Sequence, residues 1–366
     1  MEAATPEEEA PRIRRLVLDG DAAQRGAAHG DAYAREIRRY TRDRVSLASD
    51  GSWAGRALEQ QDVLHLAGSM LSAHRHYAPD LFEEMEAMAA AAGISSAEAI
   101  IVGGFTDFVD AVRERSGAVH EEDDCTAVLV PEAFADGPGW LAQTWDMHDS
   151  ATQHVVLLDI RPRGAPRALV FSTVGCLGQI GINDAGIAVG INNLAAARGV
   201  PGVTWPFVVR KVLAQRNLDD ALACVLEAPL TGAHHYLLMD AEGRGFDVEA
   251  MPQHRAVREL AAEPLIHTNH CLDEEALRHQ ALRPPDLLAS SEARLARAGE
   301  LLRDPGVDLE RLMAFTRDPV AICQRSKPPF HIESSGAAIM RPAAGELWAV
   351  WGLPSENRYD HFRFDA

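Results

Sequence analysis

Residues 121–130 read Glu-Glu-Asp-Asp-Cys-Thr-Ala-Val-Leu-Val, and after a turn through Pro138 and Gly139 residues 140–147 read Trp-Leu-Ala-Gln-Thr-Trp-Asp-Met. An acidic run ends on Cys125, an apolar strand follows at 126–130, and a second strand at 140–144 returns Asp146 to the end where the first began. A thiol and a carboxylate are thereby brought together. Such a cysteine has a chemical use: once the peptide bond before it is cut, its own α-amino group can act as the base for its thiol. Taken alone, Cys125 fits a buried, inert core residue better, because free cysteines are commonly that. The balance shifts with the polar residues that recur at strand ends or on a helix downstream, Asp146, Asn192, Asn269 and Arg294. Each also has a plain reading, since Asn and Asp are frequent turn residues and a helical Arg is usually solvated.

Outward from this hairpin the texture differs on the two sides. Upstream, a short strand at 15–20 precedes helical patterns at 21–46, 54–77, 81–92 and 95–112. Gly26 and Gly30, four apart, would let another backbone approach closely, and Ser95 with Glu98 makes a capping box. Downstream, short β-rich runs at 154–160, 168–173, 179–183 and 186–191 are separated by Pro, Gly, Asn and Asp turns, as in an antiparallel meander. A helix at 205–228 precedes strands at 235–240, 245–249 and 256–260. Helices at 286–302 and 309–315 and a hairpin of 335–341 with 346–351 close the chain. Two antiparallel sheets with helices outside make an α+β, four-layer αββα sandwich.

The 366 residues can bury a large core as one domain or two. With 35 Lys and Arg against 54 Asp and Glu, net charge -19, nonspecific binding to nucleic acid or an anionic membrane is disfavoured. Cys125, Cys176, Cys224, Cys271 and Cys323 are odd in number and form no CxxC pair, which argues against a disulfide framework and structural zinc. The first 14 residues lack the apolar centre of a signal peptide, and no run of about 18 apolar residues follows. The expected location is the reducing cytoplasm. His234 with His235, His74 with His76, and His148, Asp149 and His154 read better as packed or surface groups than as metal ligands, there being no HExxH. The Gly-rich turn 175–181 lacks a phosphate or dinucleotide fingerprint. Neither metal nor cofactor is expected.

Four segments together are more specific than any one of them: Asp-Cys-Thr at 124–126, Gln-Thr-Trp-Asp at 143–146, Gly-Ile-Asn-Asp-Ala-Gly-Ile-Ala-Val-Gly-Ile-Asn-Asn-Leu at 181–194, and Thr-Asn-His at 268–270. With Ser290-Ser291-Glu292-Ala293-Arg294 and Trp351-Gly352-Leu353-Pro354, the set resembles the acyl-coenzyme A:6-aminopenicillanate acyltransferase family (peptidase C45). That family is one of autoproteolytic N-terminal-nucleophile (Ntn) cysteine hydrolases, related to choloylglycine hydrolases and penicillin V acylases. The resemblance implies that 1–124 is a mostly helical pro-segment, 18–30 matching its Gly-rich opening, and that 125–366 is the catalytic chain. It aligns Cys125 with the nucleophile, Asp146 with the carboxylate that meets the new α-amino group, Asn192 and Asn269 with the polar groups around the oxyanion, and Arg294 with the arginine beside the thiol.

Two positions depart from the family pattern: Asp124 stands where Gly precedes the nucleophile, and Thr144 where Asn precedes Trp-Asp. The implied function is cleavage of a linear amide in an N-acylated small molecule, through self-cleavage between Asp124 and Cys125 and an acyl-enzyme on Cys125. Acyl transfer from acyl-CoA is the alternative; the acidic chain has no evident capture site for that polyanion. A reading of another class, suggested by Asp124, is an uncleaved and inactive scaffold that binds acylated molecules.

Overall fold

The computed structural model describes residues 12–51, 53, 57–116 and 124–364. The acidic run before Asp124 and the expected helix start at 54 lie outside the described residues. The chain opens with β1 (Arg14–Gly20), then α1 (Ala22–Asp50), α2 (Gln60–Tyr77), α3 (Pro79–Ala92), α4 (Ser96–Gly103) and α5 (Phe105–Ser116). Asp21 and Ser95 each cap a helix through a reciprocal capping box, with Gln24 and Glu98. Cβ atoms at Gly26 and Gly30 would overlap the carbonyl oxygens of Glu84 and Met88, so these glycines let α1 lie directly on α3. The expected single helix 95–112 is two helices: the chain bends at Gly104, where the Thr204 side chain occupies the space of a Cβ.

The hairpin of β2 (Thr126–Val130) and β3 (Trp140–His148) follows, then β4 (Val155–Pro162), β5 (Ala168–Thr173), β6 (Ile180–Asn183) and β7 (Ala188–Leu194). The apolar run 205–228 is also divided, into α6 (Trp205–Val212) and α7 (Leu218–Leu226), because Asn217 starts a new helix by accepting the Asp220 N–H at 2.9 Å. Next come β8 (Ala233–Met239), β9 (Gly245–Ala250), β10 (Arg255–Glu259) and β11 (Leu265–His267). Helices α8 (Pro285–Leu301) and α9 (Leu309–Thr316) lead to β12 (Ile332–Arg341), β13 (Glu346–Trp351) and β14 (Asp360–Arg363).

Among the described residues one sheet has eight strands in the order β1-β4-β5-β6-β7-β8-β9-β10, and the other six, β11-β2-β3-β12-β13-β14. Their pairings are antiparallel except that of β1 with β4, which is parallel. The parallel pair needs a long crossover, which the five intervening helices and the first hairpin supply. The sheets face each other through β2, β3 and β12 against β6, β7 and β8. Helices α1 to α7 cover the outer face of the larger sheet, and α8 and α9 that of the smaller, giving the four-layer αββα sandwich. Gln143 on β3 pins the sheets together: it donates to Ile191 O at 2.8 Å and accepts from Ile191 N–H at 2.7 Å. Under the helical layer, Glu84 is buried between Arg25 (2.7 Å) and Arg210 (2.7 Å). Among the described residues no single helix is long and apolar enough to cross a membrane.

Candidate active site

Cys125 sits at the last position before β2, and the β2–β3 register, Thr126 opposite Thr144, brings Asp146 beside it. The Asp146 N–H reaches Cys125 Sγ at 3.4 Å, and both residues are buried. Across β3, the pairing with β12 shifts between Ser334 and Gly336, an irregularity of the kind that re-aims side chains near functional sites.

Arg294 lies on α8 yet is fully buried, against the usual solvated place of a helical Arg. Its guanidinium donates to the Cys125 carbonyl, to Thr126 Oγ1 at 3.1 Å, to Asp124 Oδ1 at 2.8 Å and to Asn269 Oδ1 at 3.1 Å. One side chain thus joins residues on both sides of the Asp124–Cys125 bond to the segment after β11. Asn269 is fixed in turn: its Nδ2 donates to Asn193 O at 3.0 Å and its N–H to Ser291 Oγ at 2.9 Å, while its carbonyl accepts from Arg283. Ser290 Oγ completes the cradle of Asp124, donating to Oδ2 at 3.0 Å.

Asn192 is inside β7 rather than at a strand end, opposite His235 on β8. Its Nδ2 lies 3.1 Å from His235 Nδ1 and donates to His267 O at 3.2 Å, while its Oδ1 is buried without a hydrogen-bond partner. The structure therefore gathers Asp124, Cys125, Asp146, Asn269 and Arg294 through direct contacts. It places Asn192 in the facing sheet, tied to the same region through the carbonyl of His267, two residues before Asn269.

Electrostatically the unusual group is Asp146. Burial pushes its carboxyl up to about 8, with Arg294 pulling it down and Asp124 pushing it further up. Thr144 and Ser334 face the carboxylate and lower its pKa, but neither makes a hydrogen bond of normal geometry, and both oxygens are without a partner.

A second buried group includes His235, which the sequence offered with His234 and which reads there as a packed residue, together with partners that the sequence did not indicate. His235, Asp247 and His267 offer donor atoms within 4.8 Å of one another, a set that could share a metal ion. His235 Nε2 is 3.1 Å from Asp247 Oδ1, and His267 Nε2 is 2.9 Å from Glu249 Oε1, with the two rings stacked at 3.6 Å. His267 Nδ1 is 2.7 Å from Thr268 O, which fixes the strand end that leads to Asn269. These residues lie far apart in sequence, and the alternation of β8 and β9 was the available sign that they share a face. A cavity of about 630 Å³ bordered by Arg25, Tyr77, Pro79, Ile160 and Lys211 lies elsewhere and includes none of these groups.

The model of the acyl-coenzyme A:6-aminopenicillanic acid acyl-transferase family matches residues 134–354. The chain belongs to this family. The matched span holds Asp146, Asn192, Asn269 and Arg294 and begins after Cys125. Over 321 residues the chain is 23% identical to the 40 kDa form of acyl-coenzyme A:6-aminopenicillanic-acid-acyltransferase from Emericella nidulans, covering 85% of each. Among solved structures, an N-acylethanolamine-hydrolyzing acid amidase ortholog from Caenorhabditis elegans aligns at TM-score 0.42 and 14% identity, over 60% of this chain and 93% of that one. A mutant of the conjugated bile acid hydrolase of Clostridium perfringens aligns at TM-score 0.43 and 12% identity, over 66% and 97%. These two likenesses are too distant to bear on the site.

Proposed function

We propose that this family member cuts itself between Asp124 and Cys125 and that the freed Cys125 is the nucleophile of an amidohydrolase acting on N-acylated small molecules. Residues 1–124 would then remain as the first chain and 125–366 as the second. In self-cleavage, Cys125 Sγ attacks the Asp124 carbonyl carbon and the C–N bond breaks, leaving a thioester and a free α-amine. Water then releases the Asp124 carboxylate and the thiol. In turnover the same sulfur takes the substrate's acyl group, the amine departs with a proton from the Cys125 α-ammonium, and water regenerates the thiol. Arg294 holds the backbone around the sulfur, and Asn192 and Asn269 are the polar groups assigned to the developing oxyanion.

The observation that carries this reading is the carboxylate of Asp146, fully buried beside Cys125, faced by the Thr144 and Ser334 hydroxyls but with neither oxygen in a hydrogen bond of normal geometry in the uncut chain. A buried polar group without a partner costs about 1–3 kcal/mol, and more when charged. Cleavage would create an α-ammonium next to it, the kind of group it lacks. The reaction calls for no metal or cofactor, and the reading places the enzyme in the cytoplasm, acting on a small N-acyl amide.

The name of the Emericella nidulans relative favours a second reading, transfer of the acyl group from acyl-CoA to an amine. Both paths share one thioester, and added nucleophile separates them. Two amides with a common acyl group and different amines are hydrolysed with hydroxylamine titrated in. A transfer-to-hydrolysis ratio independent of the leaving amine supports the shared acyl-enzyme, and a ratio that follows the amine refutes it. Dominant transfer at low amine selects the acyltransferase.

A further inference from the structure

Asp124 carries a buried carboxylate on the residue whose carbonyl precedes Cys125, held by Arg294 and Ser290. We propose that the mature site selects acyl groups bearing a carboxylate two carbons beyond the scissile carbonyl, succinyl being the simplest, and that Arg294 and Ser290 bind that carboxylate. The proposal rests on the reading above, in which Cys125 is acylated.

During self-cleavage the intermediate joins the Asp124 carbonyl carbon to Cys125 Sγ. The acyl-enzyme of turnover joins the substrate's carbonyl carbon to that same sulfur. Asp124 is therefore the first acyl group the site handles, and its side chain is a carboxylate reached from the carbonyl carbon through Cα and Cβ. In the uncut chain Oδ1 accepts from Arg294 Nη2 at 2.8 Å and Oδ2 from Ser290 Oγ at 3.0 Å. Asp124 is 5% exposed and Arg294 0%, so the contact is a desolvated one rather than a surface pair.

For a substrate to reach Cys125 Sγ the Asp124 end of the first chain has to withdraw after the cut. The contacts then still described for the Arg294 guanidinium are neutral oxygens: the Cys125 carbonyl, Thr126 Oγ1 and Asn269 Oδ1. A buried cation deprived of its paired anion is costly, and a planar guanidinium is well suited to take a carboxylate in its place. The Asp146 carboxylate does not serve, because in the cleaved chain it is matched to the new α-ammonium. A plain alkyl acyl group would leave both Arg294 Nη2 and the Ser290 hydroxyl without the anion they hold in the uncut chain. With a succinyl amide the chemistry balances as for any amide: the C–N bond breaks, the amine takes a proton from Cys125, and water releases succinate and the thiol.

The test compares succinyl 4-nitroanilide with butanoyl 4-nitroanilide on the purified cleaved enzyme. The expected kcat/KM ratio is about tenfold to a hundredfold in favour of succinyl, the worth of hydrogen bonds to a charged group. Ser290→Ala should move that ratio toward one, and Ser290→Thr should restore it. Equal turnover of both anilides overturns the selectivity and leaves the acyl-enzyme reading standing. If neither anilide is cut, intact mass after mixing with the S-phenyl thioesters of the same two acids decides: succinyl retained on Cys125 in preference to butanoyl supports the proposal, and equal or butanoyl-dominated labelling overturns it. No acyl group on Cys125 from either ester overturns the catalytic reading, and the inference with it.

Discussion

Asp146 donates its backbone N–H to Cys125 Sγ across 3.4 Å, while its own buried carboxylate, faced by Thr144 and Ser334, makes no hydrogen bond of normal geometry on either oxygen. In the uncut chain the arrangement is electrostatically unfinished, and its energetic consequence can be measured.

Burial holds the Asp146 carboxyl at about 8, against about 3.9 in an unfolded chain. A pKa raised on folding contributes stability that is full below the unfolded value and is lost as pH rises through the folded one. Asp110, pushed up to about 7 by burial, adds in the same sense. The contributions of Asp146 and Asp110 should therefore fall between pH 4 and 8. His29, His74, His154, His235 and His270, which burial lowers to about 4, contribute in the opposite sense below about pH 6.5. The Asp146 share is read as the difference between the uncleavable Cys125→Ala chain and its Asp146→Asn double variant. Adding Asp146→Asn should recover on the order of 2–4 kcal/mol at the upper end. Chemical denaturation across that range reads it, and an unaltered pH slope in the double variant would show that the Asp146 carboxylate is not the titrating group.

Asn192 and Asn269 are each fully buried and each donate to a backbone carbonyl, so their removal affects folding as well as turnover. Alanine at either position is expected to cost about 1–3 kcal/mol of stability. Its effect on kcat should be larger, about 10²–10³, if the amide stabilises charge present only in the transition state. Steady-state rates set beside thermal melts separate the two effects. Activity that falls only in step with the folded fraction would make both residues structural.

Much of this architecture was legible in the sequence, and the failures have physical causes. The β2–β3 hairpin could be read because its strands are apolar runs closed by Pro138 and Gly139, and α1 lies on α3 at the two glycines whose spacing suggested it. The breaks at Gly104 and Asn217 were missed because the apolar pattern continues across both, and tertiary contact with Thr204 decides the first. The three-residue β11 and the four-residue β14 are too short to show a period. Within the site, Cys125 and Asp146 are neighbours through a local hairpin, whereas the grip of Arg294 on Asp124 spans 170 positions and has no local sign. His235 and Glu249 are opposite each other on the β8–β9 hairpin and had a local sign, whereas His267 is brought to them on the three-residue β11 and had none.

If the Asp124–Cys125 bond is cut as proposed, the two chains should stay together. Strand β1 pairs along its length with β4, and α5 is tied to the other side of the cut: Asp107 Oδ2 accepts from Trp205 N–H at 2.7 Å, and Asp110 Oδ2 from Ala233 N–H at 3.1 Å. Native size exclusion should give one species that denaturing electrophoresis resolves into two. Expression of 125–366 alone should give insoluble protein, since the larger sheet would lose an edge strand and most of its helical cover. A soluble, active second chain would contradict this.

Glu84 bridges Arg25 and Arg210 beneath the helical layer with every partner buried. Glu84→Ala strands two buried cations and should destabilise the fold by about 3–5 kcal/mol. Urea denaturation of the Cys125→Ala background reads this without interference from cleavage, and a loss below about 1 kcal/mol, typical of an exposed pair, would contradict the buried assignment.

The central claim is that the bond between Asp124 and Cys125 is cut by the Cys125 thiol. Intact-mass measurement under denaturing conditions, on wild type and Cys125→Ala after equal incubation, tests it most directly. The account predicts two fragments from wild type, the larger starting at Cys125, and one uncut chain from the variant. A single wild-type chain of 39.7 kDa after prolonged incubation would contradict it and leave the uncleaved scaffold as the better description.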